Sequence, residues 1–329
     1  MRYLILLIIL VVICLYCLSL GRYGLSIEEL FKVVLMRFNL LEYDESLANA
    51  DFIFFSIRLP RVVLAIFCGA TLGIAGASFQ AIFKNPLAAP DILGVTSGSA
   101  FGAILALLFG LSIFWVNSFA FIFGVLSLTL TLFIARGASN YVMVVLAGII
   151  ISALFQSFIS LVKYLADPQD VLPVITYWLL GSLQVNDIKQ IIFCCALTSV
   201  GILILLFFRW KHNLLILEDL EARSLGLNVS QLRILLILVN TLIVSSIVSI
   251  CGIISWVGLI IPHIARLIFG SDNTKILPAS VFMGAIFMLI IDTISRNLLG
   301  QEIPISVLSA FVGAFIFLFI LYRFKGVNL

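Results

Sequence analysis

The sequence predicts an all-α, polytopic membrane protein, and three observations carry that prediction. Of 329 residues, 63% are hydrophobic and 11% charged, with a mean hydropathy of +1.26; soluble domains run at about 45–50% apolar and about 25% charged. Uncharged runs recur along the whole chain, and a span needs about 20 apolar residues. These runs are continuous, whereas a transmembrane β-barrel shows short alternating segments. Composition alone therefore excludes a water-soluble globular domain, a disordered chain and a nucleic-acid-binding protein.

The runs occupy 3–21, 62–83, 92–135, 137–162, 190–208, 234–265, 276–291 and 303–322. The 92–135 run is long enough for two spans, and so is 234–265 if one of them is short, which gives about ten helices. The first run follows a single positive residue, Arg2, and has no A-x-A site before Gly21, so it reads as an uncleaved first span rather than a signal peptide. Two polar segments interrupt the pattern. One extends from Gly21 to about Ser56 and holds Glu28, Glu29, Glu42, Asp44, Glu45 and Asp51; the other runs from Arg209 to Arg233 and holds Lys211, Glu218, Asp219, Glu221 and Arg223. Neither can hold a catalytic domain, and the remaining connections are tight stretches marked by Pro and Gly at 84–94, 167–173, 270–275 and 300–304. The expected organisation is one membrane domain over residues 1–329.

Orientation follows from Lys and Arg placement. With ten spans and the N-terminus inside, eleven of the nineteen fall inside and eight outside, a bias in the expected direction. Arg58, Arg61 and Arg296 run against it, each at a span end on the expected outer face. Within the spans, Gly69, Gly73 and Gly76 share one helix face and Gly94, Gly98 and Gly102 another, as close helix packing in lipid requires. Few polar residues enter the spans: Gln80, Gln156, Ser157, Asp292 and His263. Asp292 lies four residues before Arg296, so a local ion pair competes with a functional role. His263 follows Pro262 and reads as a structural hydrogen-bonder or a proton relay. The six cysteines, Cys14, Cys17, Cys68, Cys194, Cys195 and Cys251, sit in apolar runs without metal spacing and read as small hydrophobes.

Several chemistries are missing. The chain has no G-x-x-x-x-G-K-[ST] phosphate loop, no H-E-x-x-H and no G-x-S-x-G. Its two histidines, His212 and His263, lie in separate regions, which disfavours a path built from imidazoles for a bare transition metal. An intramembrane hydrolase needs a nucleophile–base set, and an ion-coupled secondary transporter needs ion-coordinating groups in broken helices and typically inverted repeats. The sequence offers neither. It reads as a conduit powered by another chain, with no resident cofactor or metal.

Three segments carry a family resemblance. Arg58–Gly98 reads RLPRVVLAIFCGATLGIAGASFQAIFKNPLAAPDILGVTSG, Leu217–Arg233 reads LEDLEARSLGLNVSQLR, and Gly252–Pro304 opens GIISWVGLIIPHIARL. In this order they resemble the FecCD-type permeases, membrane subunits of bacterial ABC importers for ferric siderophores, haem and cobalamin, with a branch that takes molybdate or tungstate. Trp256 departs from the family's usual Phe, and the stretch before Leu146-Ala147-Gly148 matches loosely.

The resemblance implies a large (type II) importer permease of ten helices in the bacterial inner membrane. It also implies a second permease subunit as a homodimer, two cytoplasmic ATPase subunits that bind the ATP, and a periplasmic substrate-binding protein. Arg58, Arg61 and Arg296 match the arginines that meet carboxylates of the binding protein; a guanidinium fork suits such a partner. The coupling segment spans about 211–232, where Glu218, Glu221, Arg223, Leu225, Gly226 and Leu227 match the contact with the ATPase. Asn85, Pro86 and Leu87 match the inner gate, and an ordinary Asn-Pro turn is the alternative. The pathway is expected between two copies, along the fifth and tenth spans, with Gln156 and Ser160 as candidate lining residues. A metal chelate is the expected cargo and a molybdate or tungstate oxyanion the alternative.

Overall fold

Helices form where the charge-free runs occur, and each of the two longest runs breaks once. A computed structural model describes the chain apart from residues 1, 22–23, 25, 43, 137–140, 185–186, 227 and 324–329. Helix α1 (Arg2–Ser19) is the first apolar run. The acidic segment after it folds into the amphipathic α2 (Ile27–Arg37) and the short α3 (Ala48–Phe52). A capping box starts α2: the Glu29 backbone N–H donates to Ser26 Oγ at 3.1 Å, and the Ser26 N–H donates back to the Glu29 carboxylate at 2.7 Å. A π-helical stretch, Ile53–Arg58, runs without a break into α4 (Leu59–Ile82), with Pro60 at the junction.

The 92–135 run becomes α5 (Val95–Leu108) and α6 (Ile113–Ile134), followed by α7 (Tyr141–Leu165), α8 (Val171–Leu179) and α9 (Ile188–Phe207). The second polar segment forms α10 (Arg209–Ile216) and α11 (Asp219–Ser224). The 234–265 run breaks at Gly252–Trp256 into α12 (Val229–Cys251) and α13 (Val257–Phe269), and α14 (Asn273–Asn297) and α15 (Ile305–Arg323) complete the chain. Among the described residues, seven helical segments are long and apolar enough to cross a membrane, and α5, α13 and the apolar part of α15 are shorter apolar helices, which together make up the expected ten.

Helix α4 is the hub, buried at every residue from Cys68 to Ile82. The glycine face read from the sequence explains how. A Cβ on Gly69 would overlap the Gly284 carbonyl of α14, one on Gly73 the Ser280 carbonyl, and one on Gly76 the Gly258 carbonyl of α13. Gly98 and Gly102 make the same close approach to the Phe123 and Phe119 carbonyls of α6. Gly94 differs, because it precedes α5 as a left-handed residue with φ of 75°. Small faces let backbones pack without intervening side chains, which is how helices associate where lipid removes the hydrophobic driving force.

Irregular backbone inside the bundle is satisfied from within. Leu93 O accepts from Ser127 Oγ at 3.3 Å and Thr131 Oγ1 at 3.2 Å. At the α12–α13 break, Ser182 N donates to Cys251 O at 2.8 Å, and Ser306 N at the start of α15 donates to Leu180 O at 3.1 Å. Non-helical backbone survives in a membrane protein only where protein groups complete its hydrogen bonds.

Arg2 Nη1 donates to Ile268 O at 2.6 Å and Lys84 Nζ to Leu217 O at 2.6 Å, so the start of α1 and the α10–α11 segment lie at one end of the bundle. At the other end, Arg58 reaches the last carbonyls of α1.

Gly69→Val should destabilise the protein at or above the upper end of the about 1–3 kcal/mol typical of overpacking, since the obstruction is a carbonyl that cannot rotate away. Gly300→Ala, with open space around its Cβ, should stay within about 0.5 kcal/mol of wild type. Thermal denaturation of the two variants in detergent checks the contrast.

Candidate functional sites at the two ends of the bundle

The three arginines that oppose the topology rule come together. Arg61 on α4 donates from Nε to Asp292 Oδ1 at 2.8 Å and clasps Glu302 with both terminal nitrogens, at 2.9 and 3.0 Å. Arg296 Nε lies 3.0 Å from Asp292 Oδ2, a charge contact without hydrogen-bond alignment. Arg58 Nη1 donates to Leu18 O at 2.8 Å and Ser19 O at 2.9 Å, and Arg296 Nη2 reaches Cys17 O at 3.5 Å. Two cations thus sit on the free carbonyls that end α1, where the helix dipole favours positive charge. Arg58, Arg61 and Arg296 are 4%, 7% and 9% exposed. Sequence placement suggests outward-facing groups; the structure turns Arg61 and Arg296 onto internal carboxylates. Three guanidinium groups and two carboxylates leave the cluster one net positive charge.

Both sequence readings of Asp292 bear on this geometry: the local pair with Arg296 is present, and Arg61 from another helix joins it. Glu302 is the residue that sequence reasoning missed. It lies 241 positions from its partner, in a Gly-Pro connection whose spacing gives no sign of a return to α4.

At the opposite end, α11 is short and mostly solvent-facing. Glu218, Glu221, Arg223, Leu225 and Gly226 are exposed, as is Leu220 at 78%, while Ala222 is buried beneath them. Gly226 takes a φ of 79° and its N–H donates to Arg223 O at 2.9 Å, a left-handed stop that favours glycine. Leu227 lies outside the described residues. Asp219 anchors the segment, held by Arg233 Nη2 at 3.2 Å and Lys84 Nζ at 3.5 Å. Burial works against its ionisation, but Arg233 and Lys84 outweigh that and hold its carboxyl below the usual carboxylate range. At the start of α14, hydrogen bonds from Asn213 and Thr274 hold Asp272 at a pKa of about 2.

Asn85, Pro86 and Leu87 are exposed at this end. Asn85 Oδ1 accepts from Leu87 N at 2.9 Å, and Asn85 O accepts from Ala88 N at 3.0 Å, so the side chain closes its own Asn-Pro turn. Gln156 and Ser160 lie on an exposed face of α7, with Ser160 Oγ turned back to Gln156 O at 3.0 Å. The tenth apolar helix, α15, exposes Phe311, Phe315, Phe319 and Tyr322 at helical spacing, an aromatic stripe that the hydropathy pattern does not distinguish from lipid-facing surface.

The polar residues within α4 and α13 read as structural. Pro262 supplies no N–H to the Gly258 carbonyl four residues back, and Gln80 Nε2 fills that place at 3.5 Å, with Leu259 O at 3.4 Å. Gln80 also accepts from Arg266 Nη2. His263 is nearly buried, with Nδ1 3.4 Å from Arg266 Nη2 and its ring edge-on to Phe317.

Removing one partner of a buried ion pair costs about 3–5 kcal/mol, because the other charge is stranded. Arg61→Met and Asp292→Leu should each lower thermal stability by that order, and the double variant should lose clearly less than the two losses together. Strict additivity in detergent unfolding would show that the two side chains do not share one network.

Comparison with known proteins places these features. The family model described as the FecCD transport family matches residues 7–323. The molybdate import system permease protein MolB of Haemophilus influenzae is 37% identical, over 98% of this chain and 96% of its own. The hemin transport system permease protein HmuU of Yersinia pestis is 32% identical, over 97% and 94%. A solved structure described as an inward-facing conformation of a metal-chelate type ABC transporter superposes with a TM-score of 0.87 at 36% identity, covering 97% of each chain. With the match running from the first apolar helix to the last, this chain belongs to the FecCD transport family.

Proposed function

We propose that this chain is the permease subunit of an ATP-driven importer of the bacterial inner membrane. Two copies enclose a central pathway. Two ATPase chains sit against α10–α11 on the cytoplasmic side and hydrolyse the ATP, and a periplasmic binding protein delivers cargo at the end that carries Arg58, Arg61 and Arg296. The observation that carries the reading is a full-length family match joined to a short helix, α11, that presents exposed Leu220 and Leu225 with Glu221 and Arg223 beside them. Apolar anchors with a charged rim are what a helix offers to a groove on a partner.

The cargo we propose is a metal chelate: a ferric siderophore, haem or cobalamin. Such molecules are large and organic, and the aromatic stripe of α15 offers them a broad, weakly adhesive wall opposite the neutral Gln156 and Ser160 of α7. A molybdate or tungstate oxyanion is the second reading, favoured by the 37% identity to the molybdate permease. Uptake of radiolabelled iron chelate and of radiolabelled molybdate into proteoliposomes, with the cognate ATPase and binding protein, separates the two. ATP-dependent uptake of neither class overturns the importer reading.

Gly226→Pro should uncouple the machine, because proline cannot adopt the φ of 79° found there. ATP hydrolysis should persist while uptake falls at least about tenfold, or about 1.4 kcal/mol in coupling; normal uptake per ATP would remove α11 from the ATPase contact. At the other end, Arg58→Glu together with Arg296→Glu should weaken binding-protein association by at least about tenfold. Unchanged affinity in the double variant, measured on complexes that still bind the ATPase, would leave these arginines as helix-end clamps only.

A further inference from the structure

The Lys84 side chain joins the proposed ATPase contact to the proposed gate turn. Helix α4 ends at Ile82, and two residues later Lys84 takes a left-handed φ of 49°. The three residues after it form the Asn85–Leu87 turn. That turn is closed by its own Asn85, so Lys84 is not needed to shape it. Instead its ammonium reaches the coupling segment, donating to Leu217 O at 2.6 Å and to Asp219 Oδ1 at 3.5 Å. Leu217 is the extended residue just after α10, and Asp219 is the first residue of α11.

The segment that Lys84 grips is not a slack loop. His212 on α10 is fully buried, its ring 2.9 Å from Ser78 Oγ of α4 and 3.0 Å from Phe208 O. Asn240 of α12 donates to the same Ser78 Oγ at 2.7 Å. Asn213 donates to Asp272 at 2.8 Å and accepts from Asn273 N at 2.8 Å, which ties α10 to the start of α14. A displacement of α11 is therefore passed to packed helices rather than absorbed. Lys84 is the polar contact nearest in sequence to the turn.

We propose that Lys84 is a positioning residue that carries movement of α11 to the Asn85–Leu87 turn through its bonds to Leu217 and Asp219, so that the turn follows the ATPase. The proposal rests on reading residues 218–227 as the ATPase contact and the turn as the inner gate. Stability does not explain the pair: Lys84 is 21% exposed and Asp219 38%, and exposed ion pairs contribute about 0–1 kcal/mol at most. The bonds instead fix a distance between two elements, and coupling needs such a fixed link between parts with two arrangements.

The test uses the assembled complex of permease and cognate ATPase in lipid nanodiscs, with a spin label on Leu87→Cys in a background whose six native cysteines are replaced. Pulsed electron paramagnetic resonance gives the distance between the two labels without nucleotide and after trapping with ATP and vanadate. The distance should shift on trapping with Lys84 present, lose that shift in Lys84→Met while the complex still hydrolyses ATP, and regain it in Lys84→Arg. Asp219→Ala, which leaves Lys84 only the Leu217 carbonyl, should show a reduced shift. A full shift in Lys84→Met overturns the proposal, as does a wild-type complex whose label distance ignores nucleotide. If the wild-type permease fails to bind the ATPase at all, the underlying reading of α11 falls, and the link falls with it.

Discussion

The fold depends on how closely α4 approaches its neighbours. At Gly69, Gly73 and Gly76 its backbone lies directly against the carbonyls of Gly284, Ser280 and Gly258, with no side chain between them. Lipid tails are as apolar as leucine, so membrane helices gain little by merely hiding apolar surface from one another; contact area at short range, with its dispersion energy, does the work. This packing joins α4 and α14 into a two-helix rod that spans the bundle. Each end of the rod then carries a polar cluster: Arg61 with Asp292 and Arg296 at one, Lys84 with Asp219 at the other.

The buried polar groups follow one rule, that a charge or an open carbonyl inside lipid must find a partner in the protein. Pro262 leaves a carbonyl without its helical donor and Gln80 supplies one from α4. Helix α1 ends with free carbonyls and Arg58 covers two of them. Asp292, with 1% of its side chain exposed, is flanked by two guanidinium groups. These solutions connect elements distant in sequence, so the same residues that satisfy chemistry also lock topology. A docking role for the arginines is compatible with that lock because the cluster keeps one positive charge beyond its two carboxylates.

Much of the fold is legible in the sequence because hydropathy is local. The eight charge-free runs correspond to helices, and the two double-length runs break near glycine, at Gly110 and Gly252, both with positive φ. The glycine faces are legible for the same reason, since helical spacing is enough to align Gly69, Gly73 and Gly76. What could not be read is long-range pairing. Nothing near Glu302 in sequence points to Arg61, nor does anything near Lys84 point to Leu217 and Asp219. The ionic state of the arginines is of the same kind: residue type and position at a span end suggest solvent, and only the folded arrangement reveals the internal carboxylates. The α15 stripe is hidden for another reason, because a phenylalanine facing a pathway and one facing lipid look identical to any hydropathy measure.

In the proposed importer, α7 and α15 of two copies enclose the pathway while α10–α11 faces the ATPase. A cryo-electron microscopy reconstruction of the transporter purified with its ATPase tests it most directly. The expected result is a two-fold axis between two copies of this chain, with Gln156, Ser160 and the aromatic stripe of α15 turned toward it and nucleotide-binding chains seated on Leu220 and Leu225. A complex with a single copy, or a dimer that turns α7 and α15 outward to lipid, would contradict it.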